Sequence, residues 1–370
     1  MRTIRRLLYR DIVSSVVFVA LAFLSLFFFI DFVDELDGVG RRGRTVWHAV
    51  AMALYEVPGH LYELAPIAVL IGTIYSLARM AQASEYTILR TGGLGPGRAL
   101  SLLAVLGVMF GLLTFVIGDY VAPASERQAV LLKARLSGGM TVGGAGAWMK
   151  DRRNGSDGAH SFSVNVAGTN AAGVLQGIRI FDFDADGRLV QRIAAARAMV
   201  DADGTWTLTD ANVDHWPSEQ QAGVAAVVST RAASMQWPST LSAEVVAAAV
   251  LPLNTMTTLE LWRYSRHLSD QDQAAQRHEI RFWKKALYPL ACLVMVALAL
   301  PFAYMHARAG SVSIKVFGGI MLGISFVLLN NLAGHIGLLR DWTPWIAAAV
   351  PSLLYLLLSL GAFAWLVRYR

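Results

Sequence analysis

The chain has 370 residues, a mean hydropathy of +0.47 and 16% charged residues, where ordinary soluble domains carry roughly 25%. That balance excludes a disordered chain and argues against a conventional soluble enzyme. Net charge is +6, but residues 123–283 hold 15 Lys+Arg against 16 Asp+Glu, so the basic excess lies elsewhere and a nucleic-acid reading loses its support.

Ten Trp and sixteen Phe in so apolar a chain predict a membrane protein with interfacial aromatics. A first apolar run covers 12–30, behind Arg2, Arg5, Arg6 and Arg10. The alternative is a cleaved signal peptide. Its small-residue site, Ala20-Leu21-Ala22, lies inside the run, so an uncleaved first span is expected. Residues 46–57 are apolar but too few to span. Trp47, Tyr55 and Pro58 predict an interfacial helix there that turns into a second span at 64–80. Further spans are expected at 99–121, 286–305, 316–336 and 345–367. Segments 1–11, 79–98, 306–315 and 368–370 hold eleven Lys and Arg against Asp11 and Glu85. Both termini and these two loops are therefore expected in the cytoplasm.

Between spans three and four the composition changes. Residues 138–255 are rich in Gly, Thr and Val, broken by Asn154-Gly155, Asp157-Gly158, Asp186-Gly187 and Asp203-Gly204. Alternating stretches at 177–183 and 205–209 predict antiparallel strands in a sandwich, barrel or jelly roll. Helical stems are expected at 125–136 and 257–285. The expected fold class is an α-helical membrane protein with six transmembrane helices, three and three, around an inserted all-β domain on the external face. The domains are 1–137, 138–255 and 256–370.

Catalytic motifs are missing. No lysine ends a Walker A motif, His278-Glu279 has no second histidine at metal-ligand spacing, and Gly323-Ile324-Ser325 lacks the closing glycine of a nucleophile elbow. The one cysteine, Cys292, excludes disulfides and a cysteine-rich metal site. No catalytic residue, metal ligand set or cofactor is expected in this chain. A short helix at 84–91, capped by Ser84 and ended by Gly92, carries Glu85, Tyr86, Leu89 and Arg90. It reads either as an amphipathic connector or as a coupling helix seated on a cytoplasmic motor.

A Ser-Glu start, an apolar-then-Arg helix and a small-Gly ending resemble the coupling helix of the LptF/LptG family of lipopolysaccharide export permeases. So do Asp31-Phe32-Val33-Asp34-Glu35-Leu36, Val121-Ala122-Pro123, and Gln276-Arg277-His278-Glu279-Ile280 ahead of Trp283-Lys284-Lys285. The likeness covers nearly the whole chain and is greater to the LptG branch. It implies a β-jelly roll and a non-catalytic permease subunit in the inner membrane of a Gram-negative bacterium. The implied partners are an LptF-like permease, an LptB-like ATPase dimer that binds ATP and Mg, and LptC/LptA-like periplasmic bridge proteins. The implied task is extraction of lipopolysaccharide from the outer leaflet.

The same likeness assigns residues. Glu85, Tyr86, Leu89 and Arg90 would meet the ATPase. Relatives place lysines after span one, where this chain has Asp31, Asp37 and Gly38. Arg41, Arg42 and Arg44, with Lys133, would take the headgroup instead, unless the arginines only pair with nearby carboxylates. Phe23, Leu26 and Phe27 on span one, with Phe317, Ile320 and Met321 on span five, would wall the acyl-chain cavity; ordinary lipid contact or core packing is the other reading. Gly318-Gly319 and Gly323 would allow close helix packing. Ile178, Ile180, Phe181 and Phe183 would line a docking groove or, the favoured reading, the β-domain's own core. A membrane-anchored sensor with a ligand-binding β-domain and an enzyme acting on lipids remain alternatives.

Overall fold

A computed structural model describes residues 2–40, 43–93, 95–137, 140–141, 146–155, 158–169, 174–201, 204–216, 227–241, 245–246, 255–270, 275–304 and 312–368. Two compact units emerge. One comprises Met1–Asp37, Val46–Ser125 and Gln276–Arg370, and the other Gly38–Thr45 and Glu126–Ala275.

The first unit is a helix bundle of α1 (Arg2–Leu36), α2 (Val46–Gln82), α3 (Glu85–Thr91), α4 (Pro96–Val116), α7 (Gln276–Tyr304), α8 (Val312–Leu339) and α9 (Pro344–Arg368). Among the described residues six helices are long and apolar enough to cross a membrane: α1, α2, α4 with its continuation, α7, α8 and α9. After α4 the chain passes through a π-helical turn, Ile117–Val121, into α5 (Ala122–Ser137).

Two expectations change. The interfacial helix and second span are one unbroken 37-residue helix, α2, with Pro58 and Pro66 inside it. Ala49, Met52 and Ala53 are buried at i, i+3 and i+4 spacing, so the early turns are held by packing, and the carbonyls freed by each proline do not end the helix. The single stem expected at 257–285 is instead α6 (Thr258–Asp270), then α7 beginning at Gln276.

The bundle core joins Leu8 and Ile12 of α1 to Leu70, Ile74, Leu77 and Met80 of α2, with Leu103 and Leu106 of α4 and Met295 of α7. Lipid tails are as apolar as these side chains, so close packing carries most of the cohesion. α1 and α2 cross with their backbones in contact: a Cβ on Gly72 would fall 2.6 Å from both N and Cα of Val16. Gly72→Ala should destabilise the bundle by about 1–3 kcal/mol, because backbone cannot step aside as a side chain can. Thermal unfolding in detergent micelles checks this against Gly361→Ala, where a Cβ meets nothing within 4 Å and no loss is expected. Of the three glycines expected at a close interface, Gly319 lies against Ile74 and Gly323 against Ile67, while Gly318 faces open space. Cys292 is fully buried in this core, its Sγ 3.3 Å from Thr114 Oγ1.

Among the described residues the second unit holds a seven-stranded antiparallel sheet. Its strands are β1 (Met140–Thr141), β2 (Ala147–Gly155), β3 (Gly158–Thr169), β4 (Leu175–Phe183), β5 (Leu189–Val200), β6 (Thr205–His215) and β7 (Val228–Pro238). β2 to β7 pair in sequence order, and β1 pairs with the far end of β3. Asp186-Gly187 forms the β4–β5 turn, with Gly187 at φ 77°, a conformation open to glycine. Ile178 and Ile180 point into the core, whereas Phe181 stands on the other face against Trp148, ring centroids 6.0 Å apart. The meander curls until its first and last long strands meet at one end. There buried Asp151 of β2 accepts the hydroxyls of Ser239, at 2.9 Å, and Thr240, at 2.5 Å, and the Thr240 N–H at 3.2 Å. Arg153 donates to the carbonyl of Pro238 and lies over the rings of Phe162 and Trp237. This is the inserted all-β domain expected from the alternating strands.

α6 begins with a reciprocal cap. The Thr257 N–H donates to Glu260 at 2.8 Å, and the Glu260 N–H donates to Thr257 Oγ1 at 3.2 Å. Arg127 of α5 pairs with Glu260 and donates to the Thr255 carbonyl at 3.0 Å, which fastens α6 to α5.

Candidate functional site

α3 links the end of α2 to the start of α4. Ser84 does not cap it through its hydroxyl as expected. It sits in the left-handed region at φ 61°, and its carbonyl accepts the Ile88 N–H at 3.1 Å. A non-glycine residue there is strained, and it stands in the short turn that separates α2 from α3. At the other end the Gly92 N–H donates to Ile88 and the Gly93 N–H to Arg90. The left-handed residue is Gly93, at φ 98°.

The four expected motor-contact residues divide between two faces. Tyr86 is 4% exposed and meets the Tyr304 ring edge-on, centroids 5.4 Å apart; Leu89 packs half-buried on the same core. Glu85 and Arg90 are exposed, and the Arg90 guanidinium lies 5.7 Å from the centre of the Tyr304 ring. Ile88, which sequence reasoning passed over, is 66% exposed on the outer face. An inner face thus grips the bundle while an outer face offers a carboxylate, a guanidinium and an apolar side chain. At the neighbouring helix ends Asp11 accepts from Ser76 at 2.5 Å and pairs with Arg79, so α1 and α2 are joined beneath α3.

Of the expected headgroup residues, Arg41 and Arg42 lie outside the described residues. Arg44 is half-buried, with its carbonyl accepting the Gly40 N–H, and Lys133 is exposed on α5. The expected acyl walls are two apolar faces. On α1, Leu26 is exposed with Phe23 and Phe27 half-buried. On α8, Phe317 and Met321 are exposed with Ile320 half-buried.

Residues 6–368 match the family described as lipopolysaccharide export system permease LptF/LptG. The chain belongs to that family. It is 26% identical over 358 residues to the lipopolysaccharide export system permease protein LptG of Escherichia coli (strain K12). To the protein of the same name from Haemophilus influenzae it is 26% identical over 362 residues. Each alignment covers 96% of both chains.

Within this LptF/LptG permease, one polar cluster escaped sequence reasoning. Asp119, in the π-turn, is buried 3.8 Å from Lys285, while Lys284 donates to the Asn330 carbonyl at 2.6 Å. Beside them the rings of Tyr62 and Tyr288 lie 4.7 Å apart, and the Tyr288 hydroxyl donates to the Glu63 carbonyl. Asp119 looks isolated in the sequence because its partner, Lys285, stands 166 positions later, at the entry to the fourth span. Among the described residues, one group has metal-ligand composition: Asp31, Glu56 and His60.

Proposed function

We propose that this permease is the LptG-type half of an ABC lipopolysaccharide exporter in the inner membrane of a Gram-negative bacterium. It pairs with an LptF-like permease above an LptB-like ATPase dimer, which binds ATP and Mg. Lipid drawn from the outer leaflet passes to LptC/LptA-like bridge proteins. Both termini and α3 face the cytoplasm, and the β-domain is periplasmic. Arg41, Arg42, Arg44 and Lys133 receive the anionic headgroup, where the planar guanidinium fork suits phosphate oxygens. Phe23, Leu26, Phe27, Phe317, Ile320 and Met321 wall the acyl chains. Moving a methylene from lipid into an equally apolar cavity changes little, so broad walls hold the chains without trapping them.

The observation that carries this reading is α3. A short helix gripped on one side and exposed on the other transmits a push from a motor to the bundle without compressing. Glu85 and Arg90, at its two ends, fix how the motor seats, and the inward Tyr86 and Leu89 pass the movement on. Tagged wild-type protein, drawn from native membranes in mild detergent, should bring down one ABC ATPase and a second six-span permease. Glu85→Ala should lower ATPase recovery about tenfold, the loss of one charge-assisted contact of about 1.4 kcal/mol. Wild-type protein recovered without an ATPase would overturn the export reading. Undiminished recovery with Glu85→Ala would remove Glu85 from the contact.

A further inference from the structure

Three side chains to which the proposed transport path gives no role converge at the end of the bundle away from α3, beside the acyl-wall residue Phe27. Asp31 lies in the last two turns of α1. Glu56 and His60 stand four residues apart on α2, which puts both on one face of that helix. One donor atom from each lies within 4.8 Å of the others, and all three residues are half-buried. His60 Nε2 is 2.8 Å from Asp31 Oδ2. Phe27, one turn before Asp31 on α1, lies against the imidazole with ring centroids 4.8 Å apart.

We infer that Asp31, Glu56 and His60 form a binding site for a divalent transition-metal ion of the zinc class. One imidazole nitrogen and two carboxylates make the mixed nitrogen and oxygen set that zinc accepts, whereas calcium takes six or more oxygens. Donors about 2.0–2.2 Å from a tetrahedral ion stand roughly 3.4 Å apart. The group therefore needs its widest pair to close by at most about 1.4 Å and the Asp31–His60 pair to open by about 0.6 Å, movements that side-chain rotation supplies. Carboxylate oxygens this close repel one another, and a divalent ion between them converts that repulsion into attraction. His60 must then present the Nε2 lone pair, so its ring proton sits on Nδ1 and any second proton leaves on binding. Phe27 packs against the imidazole at an interplanar angle of 33°, which limits the freedom lost when the ion arrives. Three protein ligands leave a position for water, and the ion ties α1 to α2 where the chain leaves α1. The sequence hides this set because Asp31 and His60 are 29 positions apart on different helices.

The site does not depend on the export reading, and its test reads the metal alone. The full chain in detergent micelles, stripped with a chelator, is titrated with Co2+ and then Zn2+ while visible absorption is followed. One equivalent of Co2+ should bind with ligand-field bands, and Zn2+ should displace it. Asp31→Asn, Glu56→Gln and His60→Gln should each weaken Co2+ binding tenfold or more, and His335→Gln should leave it unchanged. Because an unfolded variant would also bind nothing, His60→Cys supplies a positive signal: a near-ultraviolet thiolate-to-cobalt charge-transfer band. The assignment is overturned if no equivalent of Co2+ binds, if all variants bind alike, or if folded His60→Cys shows no such band.

Discussion

Tyr86→Ala is expected to release α3 from the bundle while leaving the rest of the fold in place. Truncating a large buried aromatic side chain costs about 3–5 kcal/mol in a close-packed core. Tyr86 is 4% exposed in the cluster shared with Leu103, Leu300 and Tyr304. Seven residues cannot hold a helix unaided, because nucleation outweighs so few hydrogen bonds. The loss is local, since the spans keep their own contacts. The unfolding temperature should therefore move little, while tryptic cleavage after Arg90 should rise at least a hundredfold, the opening ratio that about 3 kcal/mol implies. Tyr86→Phe should stay near wild type, because it keeps the ring that packs against Tyr304. Unchanged cleavage in Tyr86→Ala would show that Leu89 and the flanking turns hold α3 by themselves. In the proposed exporter, the alanine variant should hydrolyse ATP with little lipid movement.

Asp151→Ala should unfold the closed end of the β-domain. The carboxylate is fully buried and accepts from Ser239 and Thr240, with Arg153 Nε 3.7 Å away. Removing it strands two hydroxyls, a backbone N–H and a half-buried guanidinium, a loss of about 3 kcal/mol, the lower end of the range for breaking a buried pair. Tryptophan fluorescence reports it, because Trp206 and Trp237 pack edge to face beside Arg153, centroids 5.5 Å apart. The midpoint of denaturant unfolding should fall. Asp151→Asn, which keeps the shape and one acceptor, should lose less. Equal midpoints for wild type and alanine variant would mean that Arg153 and its ring contacts close the sheet alone.

The six long helices were legible because each needs about 20 apolar residues, a signal too long for a soluble core helix to imitate. The β insertion was legible from turn dipeptides and alternation. Phe181 was less so, because Gly177 takes a positive φ and shifts the alternation, burying Leu175 and Ile178 three positions apart. The continuity of α2 through Pro58 was not legible, since a proline in isolation reads as a break and only burial of Ala49, Met52 and Ala53 shows otherwise. For α3 the sequence did hold the clue. Tyr86 and Leu89 are apolar at i and i+3, the spacing of an inward face, whereas Ile88 stands among the polar positions. Asp31 with His60 and Asp119 with Lys285 follow from how helices meet, which no local spacing records.

Cys292 has a practical meaning for work on this protein. It is the single thiol in 370 residues, and it is sealed inside the bundle beside Thr114. A thiol without solvent access meets a maleimide or spin label far more slowly than one at the surface. A cysteine introduced at an exposed site outside the spans, such as Ile88 or Met199, would carry the probe almost alone. The natural chain is thus its own labelling background, and helix movements during a transport cycle can be followed without first stripping cysteines from it.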